Sequence, residues 1–244
     1  MLTTILLIIL ALAVLALGLG YLLANYLLPF TLLQPGHKTG DRTPANFGLL
    51  YEKLDFTVAD GIVLDSFYVP STETAKANLI LLHGVGSCKE VYLPWVTELV
   101  SMGYNVMLWD QRAHGKSGGK YLTYGYYEKE DVRLAVDWLS ARAPGLPTGI
   151  YGNSMGGAVA LQSLAQDERL RFGLIESTFT DLAAVTHAYS RRLSGFPVPA
   201  WFSNYVLQQA GKIAKFKPFQ VQPILAVAQV QQPILHIHGD ADAS

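Results

Sequence analysis

The five residues Gly152-Asn153-Ser154-Met155-Gly156 carry the clearest chemical signature in the sequence. A serine with glycines two residues away on either side is typical of a nucleophile held in a strained turn between a strand and a helix. Larger side chains at the two flanking positions would collide in such a turn. The spacing therefore indicates acyl transfer through the Ser154 hydroxyl. The alternative is a chance match in a chain that has 22 glycines.

The elements that would position this serine alternate between short apolar strands and helical segments. We predict a hairpin at 54–58 and 62–69, joined at Asp60-Gly61, because Asp-Gly is a strong turn signal. The later strands are predicted at 79–82, 104–109, 148–151, 172–175 and 233–237, and the helices at 91–102, 128–141 and 155–166. This alternation predicts an α/β fold with a mostly parallel sheet, in which ligands bind at the carboxyl ends of the strands.

Three further segments lie at the ends of predicted strands. Together with the Ser154 turn, they make the chain resemble a known family. They are Leu81-Leu82-His83-Gly84-Val85-Gly86, Asp110-Gln111-Arg112-Ala113-His114-Gly115-Lys116-Ser117 and Leu235-His236-Ile237-His238-Gly239-Asp240-Ala241-Asp242. The chain resembles the α/β-hydrolases, in the branch of serine aminopeptidases and monoacylglycerol lipases, over about residues 50–244. The resemblance implies an α/β-hydrolase sheet with helices on both faces and a small helical cap.

The resemblance also implies roles for individual residues. The backbone N–H groups of Val85 and Met155 would form the oxyanion hole, where preorganised donors stabilise a tetrahedral intermediate. Asp242 would be the acid that orients the catalytic imidazole, with Asp240 and Glu176 as alternatives. A tight turn that needs two glycines is the alternative interpretation of the segment around Val85.

Several other polar residues in these segments are expected to be structural. We expect His83 and His114 to shape loops rather than act as bases, and Asp110 and Arg112 to organise loops below the site. Ala113 stands where the family has a glycine. His236 and His238 share one face of a strand, but no carboxylate cluster accompanies them, so we predict neither a metal site nor any other cofactor.

The catalytic base is the part of the pattern that this sequence does not supply. In the family the histidine follows the acid, whereas all six histidines, at 37, 83, 114, 187, 236 and 238, precede Asp242. His187, in the predicted cap, is a remote candidate. We expect a C-terminally truncated chain without the last strand and helix of the fold, or else a catalytically inactive relative. The sequence as given is expected to be hydrolytically almost inert, because Ser154 has no general base in it.

The N-terminus is uncharged and long enough to cross a membrane. Residues 5–24 are all apolar, glycine or tyrosine, and no charged residue precedes Lys38. Twenty helical residues span roughly 30 Å, the thickness of a hydrocarbon core; Asn25, Pro29 and the segment 34–36 end the run. We predict a single-pass anchor. The alternatives are a cleaved signal peptide, disfavoured because no basic residue precedes the run, and a buried core helix. Lys38 and Arg42 follow the run, and the positive-inside rule therefore predicts that the hydrolase domain lies in the cytoplasm.

Composition excludes several other classes of protein. Half of the residues are hydrophobic, 15% are charged and the net charge is −1, which argues against a nucleic-acid partner and against disorder. The single cysteine excludes a disulfide framework and a cysteine-based zinc site.

The predicted organisation is an anchor at 1–33, a linker at 34–50 and a hydrolase domain at 51–244, with the cap at about 181–231.

A serine nucleophile with an oxyanion hole implies hydrolysis of an acyl ester, thioester or amide. The predicted cap contains Tyr189, Phe196, Trp201, Phe202 and Tyr205, which would suit an acyl chain or an aromatic ester but could equally pack the cap onto the sheet. Proximity to the membrane favours a small or lipid-like ester substrate. The alternatives are a serine aminopeptidase and an inactive, membrane-tethered binding protein on the same scaffold.

Overall fold

The computed structural model describes residues 1–34, 36 and 38–239, and its centre is a seven-stranded sheet in the order β1-β2-β4-β3-β5-β6-β7. The strands are β1 (Glu52–Thr57), β2 (Val63–Val69), β3 (Ala77–Leu82), β4 (Tyr104–Trp109), β5 (Thr148–Asn153), β6 (Leu170–Glu176) and β7 (Ile234–Ile237). The strands β3 to β7 pair in parallel, whereas β2 pairs antiparallel with both β1 and β4. The predicted mostly parallel α/β-hydrolase sheet is confirmed.

The helices are α1 (Leu2–Leu22), α2 (Leu28–Leu33), α3 (Leu93–Ser101), α4 (Glu128–Arg142), α5 (Met155–Leu164), α6 (Leu182–Ser194), α7 (Ala200–Ala214) and α8 (Pro223–Val227). The helix expected at 91–102 differs at its start, where a 3₁₀ turn at Lys89–Tyr92 leads into α3. Pro94 lies in the first turn of α3, where its missing N–H has no helical partner to lose.

The two faces of the sheet are covered by different helices. Helices α4 and α5 cover one face, where Ile80, Met107 and Ile150 pack against Val136 and Val159. Helix α3 covers the other face, where the buried residues include Leu79, Leu81, Leu108, Leu93 and Val96. Because successive strand residues point to opposite faces, the near-continuous apolar runs of β3 and β4 contribute to both cores.

The N-terminal helix continues beyond the apolar run at 5–24. A π-helical turn at Leu23–Leu27 connects α1 to α2, and the helix passes through Asn25 and Pro29, which therefore do not end it. Pro29 has no N–H to donate to the carbonyl one turn earlier, and a widened π-helical turn accommodates that loss. Within the described residues this is the one helix that is long and apolar enough to cross a membrane.

The last turns of this helix pack against the rest of the protein, although α1 itself is fully exposed. Leu33 is completely buried in a third apolar cluster, together with Met155, Leu182 and Leu207. Its carbonyl accepts a hydrogen bond from the N–H of Leu122 at 3.1 Å. Helices α6, α7 and α8 occupy the region predicted as the cap, and this third cluster joins α6 and α7 to α5 and to α2.

Candidate active site

Ser154 lies in a sharp turn between β5 and α5, with a φ of 53° and a ψ of −116°. A Cβ atom on Gly152 would stand 2.1 Å from the carbonyl oxygen of Gly156, and one on Gly156 would stand 2.1 Å from the carbonyl oxygen of Leu82. Both distances are far below any allowed contact. The glycine spacing in the sequence therefore has the steric origin that we predicted. The strained φ of Ser154 is of the kind that concentrates at functional sites.

The backbone around Ser154 is held on both sides. Its N–H donates a hydrogen bond to the carbonyl of Glu176 at the end of β6 at 2.8 Å, and its carbonyl accepts one from Ala158 in α5 at 3.1 Å. The side chain is half-buried. Within the described part of the chain, the Ser154 hydroxyl makes no hydrogen bond.

The loop after β3 runs directly beside the serine. A Cβ atom on Gly84 would lie 3.3 Å from the Cβ of Ser154, so this loop and the turn are in van der Waals contact. Among the described residues, the backbone N–H groups of Val85 and Met155 donate no hydrogen bond. Met155 also begins α5, and a helix N-terminus favours negative charge. Both donors named from the sequence thus lie in segments adjoining Ser154, with their N–H groups unused.

His83 is buried beneath this loop and is bonded on both ring nitrogens. Its Nε2 accepts from the N–H of Gln111 at 3.0 Å, so the ring proton is assigned to Nδ1, which donates to the carbonyl of Gly84 at 2.8 Å. The Gln111 side chain also donates to the carbonyl of His83 at 2.5 Å. Burial, together with the neighbouring His114, lowers the pKa of His83 to about 4. His83 is neutral at pH 7 and shapes the loop, as predicted.

His114 holds the same loop from the other side. Its Nε2 accepts from the N–H of Gly86 at 3.0 Å, and its Nδ1 donates to the carbonyl of Arg112 at 2.9 Å. The rings of His83 and His114 meet edge to face, 5.1 Å apart. Since the acceptor nitrogen of each ring already binds a backbone N–H, neither imidazole is placed to take a proton from Ser154.

Asp110 is the centre of a buried ionic cluster behind the loop. Its carboxylate accepts from the Lys89 ammonium at 2.8 Å and from the backbone N–H groups of Lys89 and Lys116, each at 2.8 Å. Lys89 also contacts Asp65 at 2.6 Å. Burial by itself lowers the pKa of an ammonium, but Asp110 and Asp65 outweigh it and raise the pKa of Lys89. The sequence did not indicate Lys89 or Asp65, because they are distant along the chain and carry no local pattern.

Arg112 anchors the loop that follows β4 in a similar way. Its guanidinium donates two hydrogen bonds of 2.6 Å to Asp131 in α4 and one of 2.5 Å to Asp60 in the hairpin turn. The bidentate geometry fixes the loop between β4 and α4 against α4. This is the structural role that we expected for Asp110 and Arg112.

The remaining sequence-based candidates have different outcomes. Asp242 and its alternative Asp240 lie outside the described residues. Glu176 accepts a short hydrogen bond from the Tyr151 hydroxyl on the face covered by α3. His187 in α6 bonds through Nδ1 to the hydroxyl of Ser203 in α7, at 3.2 Å.

His236 and His238 stack on each other with ring centroids 5.9 Å apart. Among the described residues no three His, Cys, Asp or Glu side chains are grouped so that they could hold a metal ion.

Comparison with known proteins places these features in a family context. The family model described as serine aminopeptidase, S33, matches residues 73–196, just over half of the chain. The chain is 28% identical over 202 residues to the uncharacterized protein YqkD of Bacillus subtilis, covering 78% of this chain and 64% of that protein. It is 32% identical over 135 residues to human monoglyceride lipase, covering 54% of this chain and 44% of the lipase.

A solved structure agrees with the fold over most of the chain. The Pyrococcus furiosus esterase Pf2001 superposes with a TM-score of 0.67 and 28% identity, covering 84% of this chain and 76% of the esterase chain. The chain spans less than two thirds of the length of YqkD.

Proposed function

The chain belongs to the serine aminopeptidase S33 family of α/β-hydrolases, and on this premise we propose that it is a serine hydrolase that cleaves ester-type acyl bonds. The observation that carries the proposal is the turn at Ser154, where two glycines are sterically obligatory beside a loop with unused N–H donors. In this proposal the Ser154 oxygen attacks the acyl carbonyl, and the N–H groups of Val85 and Met155 bind the developing oxyanion.

The proposal gives Asp242 the role of the acid that orients the catalytic imidazole. No hydrogen bond joins His83, His114 or His187 to the Ser154 hydroxyl in the described part of the chain. We therefore assign the general base to none of these three.

The preference for esters comes from the relatives and from the cap. Human monoglyceride lipase and the esterase Pf2001 are named for ester hydrolysis. Met155, next to the nucleophile, shares its buried apolar cluster with Leu182 and Leu207 of the predicted cap, so the side chains that adjoin Ser154 towards the cap are apolar, as an acyl-chain substrate would require. A lipid-like acyl ester is the proposed substrate class.

A serine aminopeptidase is the second candidate, favoured by the description of the family model. The same nucleophile and oxyanion donors would serve amide hydrolysis. Parallel assays with p-nitrophenyl butyrate and alanine p-nitroanilide separate the two candidates, since a peptidase would turn over the anilide at least as well as the ester.

The chemical proposal is tested by active-site labelling of the intact protein. A fluorophosphonate probe should label the protein, and Ser154→Ala should abolish both labelling and ester turnover. Ser163→Ala is a matched control, because Ser163 is buried in α5 and donates only to the carbonyl of Val159. Labelling that survives in Ser154→Ala would disprove the assignment, and an unlabelled but folded protein would favour the binding-protein alternative.

We also propose that α1 anchors the protein in a membrane, with the hydrolase domain on the cytoplasmic side. The helix runs without a break from α1 through the π-helical turn, where Ala24 is buried, into α2, where Pro29 and Leu33 are buried. This continuity supports retention of the segment rather than its removal as a signal peptide. The protein should stay in the membrane pellet after carbonate washing. A mature N-terminus beyond residue 24, or recovery of the protein in the wash, would contradict an anchor.

A further inference from the structure

The corner between α6 and α7 exposes large apolar side chains that the proposed catalysis does not use. Leu193, Phe196 and Trp201 are 83%, 75% and 70% exposed, respectively. They lie within nine residues of one another along the chain. Burying apolar side chains of this size is favourable, so a group of them exposed to water indicates a partner surface.

The contacts of α7 place this corner at one end of the apolar N-terminal run. The Tyr205 hydroxyl donates to the Asn25 side chain at 2.8 Å, and Leu207 lies further along α7 in the same cluster as Leu33. Asn25 directly follows the apolar run at 5–24, so this hydrogen bond places Tyr205 at the end of that run. Trp201 lies about one helical turn from Tyr205 in α7, roughly 6 Å along the helix axis, and is therefore also close to the end of the run.

Two arginine side chains flank these apolar side chains. Arg191 and Arg192 are exposed in the last turn of α6, and neither forms an ion pair with any residue that the structure describes. Together with Phe196 they line an open hollow of about 540 Å³. Guanidinium groups bind phosphate in bidentate fashion, so the hollow combines a phosphate-binding rim with an apolar wall.

We propose that the corner at residues 191–201 docks on the bilayer that holds α1, with Trp201 and Phe196 in the interfacial layer and Arg191 and Arg192 on lipid phosphates. The proposal rests on the proposed membrane anchor and adds a second membrane contact. A lipid surface is favoured over a protein partner because the corner is continuous with the exposed apolar helix. Tryptophan and tyrosine are also typical of the membrane interface. The cap would then face lipid, the source of the proposed substrate.

The test uses tryptophan fluorescence of the intact protein in vesicles of phosphatidylcholine and phosphatidylglycerol with brominated acyl chains. The chain has four tryptophans. Quenching by the brominated lipid should be present in the native protein and lost in Trp201→Phe. Trp95→Phe is the matched control, because Trp95 is also exposed but lies in α3, where its ring contacts those of Tyr92 and Tyr151. This variant should retain the quenching.

A second arm examines the charges. The native protein should be quenched more in vesicles with phosphatidylglycerol than in phosphatidylcholine alone, and the double variant Arg191→Gln, Arg192→Gln should lose that difference. Quenching that is unchanged in Trp201→Phe overturns the proposal. So does an absence of quenching in protein that floats with the vesicles, a result that would leave the anchor intact and assign the corner to a protein partner. Protein that does not float with the vesicles contradicts the anchor itself.

Discussion

The backbone N–H of Gly86 donates a hydrogen bond to Nε2 of His114 at 3.0 Å, so an imidazole after β4 holds the loop after β3. That loop carries Val85, one of the two proposed oxyanion donors. A hydrogen-bond donor contributes to catalysis only when it already points at the position of the developing charge. The contact between Gly86 and His114 therefore links a residue that never touches substrate to the geometry of the proposed site.

Replacing His114 should slow the chemical step without weakening substrate binding to a similar extent. His114→Phe keeps an aromatic ring but leaves the N–H of Gly86 without its acceptor, which costs about 1–3 kcal/mol. We expect kcat for a p-nitrophenyl ester to fall by about 10-fold or more, with KM nearly unchanged. His236→Phe, on an exposed strand, is the control. An unaltered kcat in His114→Phe would show that this bond does not position the loop.

Glycine at position 156 should tolerate no side chain. Gly156→Ala places a Cβ 2.1 Å from the carbonyl oxygen of Leu82, and the next nearest atoms also belong to the backbone of Leu82 and His83, so no flexible side chain can move aside. We expect a loss of about 3 kcal/mol or more in the free energy of unfolding, measured by denaturation in mild detergent. Gly36→Ala is the control, since no atom of the described residues lies within 4 Å of its added Cβ. Equal stability of the two variants would refute the steric account of the turn.

Lys89 should be essential for stability because it neutralises buried carboxylates. In Lys89→Met, Asp110 and Asp65 lose their shared cation, and breaking a buried ion pair in this way costs about 3–5 kcal/mol. Lys116→Met is the matched control. It removes an exposed ion pair with Asp41 and should change the free energy of unfolding by less than about 1 kcal/mol. Chemical denaturation of both variants decides the point, and similar small losses would contradict it.

Stability should fall as the pH drops from about 6.5 towards 4, in part because of His83. Its pKa in the folded protein is about 4, below the value of 6.5 for an exposed histidine, because burial disfavours the imidazolium. In that window the unfolded chain binds the proton and the folded chain does not. The loss through His83 amounts to about 3 kcal/mol at the acidic end.

His83→Gln isolates this contribution, because glutamine keeps one donor and one acceptor while it removes the titrating group. The free energy of unfolding should be measured at several values between pH 7 and pH 4.5 in both proteins. We expect a shallower dependence on pH in the variant, since carboxylates contribute equally to both. Identical slopes would show that His83 does not titrate differently in the folded and unfolded states.

Local features of this protein could be predicted from the sequence because their causes are local. The glycines at 152 and 156 are required by collisions within a few residues of Ser154, so the requirement is visible in the spacing alone. The uncharged run at 5–24 is also visible in the sequence alone, and its length and composition predict a helix that can cross a membrane. The alternation of apolar strands with helices predicted the parallel sheet, since strands covered on both faces must be apolar throughout.

Partners that are distant along the chain were decided only by the tertiary structure. Gly86 and His114 are 28 residues apart, and Asn25 and Tyr205 are 180 apart. Lys89 reaches Asp65 only because β2 pairs antiparallel with β4, which brings the carboxylate of Asp65 beside that of Asp110. The sequence shows which groups are able to bond. Which of them meet depends on strand order and register, because these set the distances across which hydrogen bonds and ion pairs act.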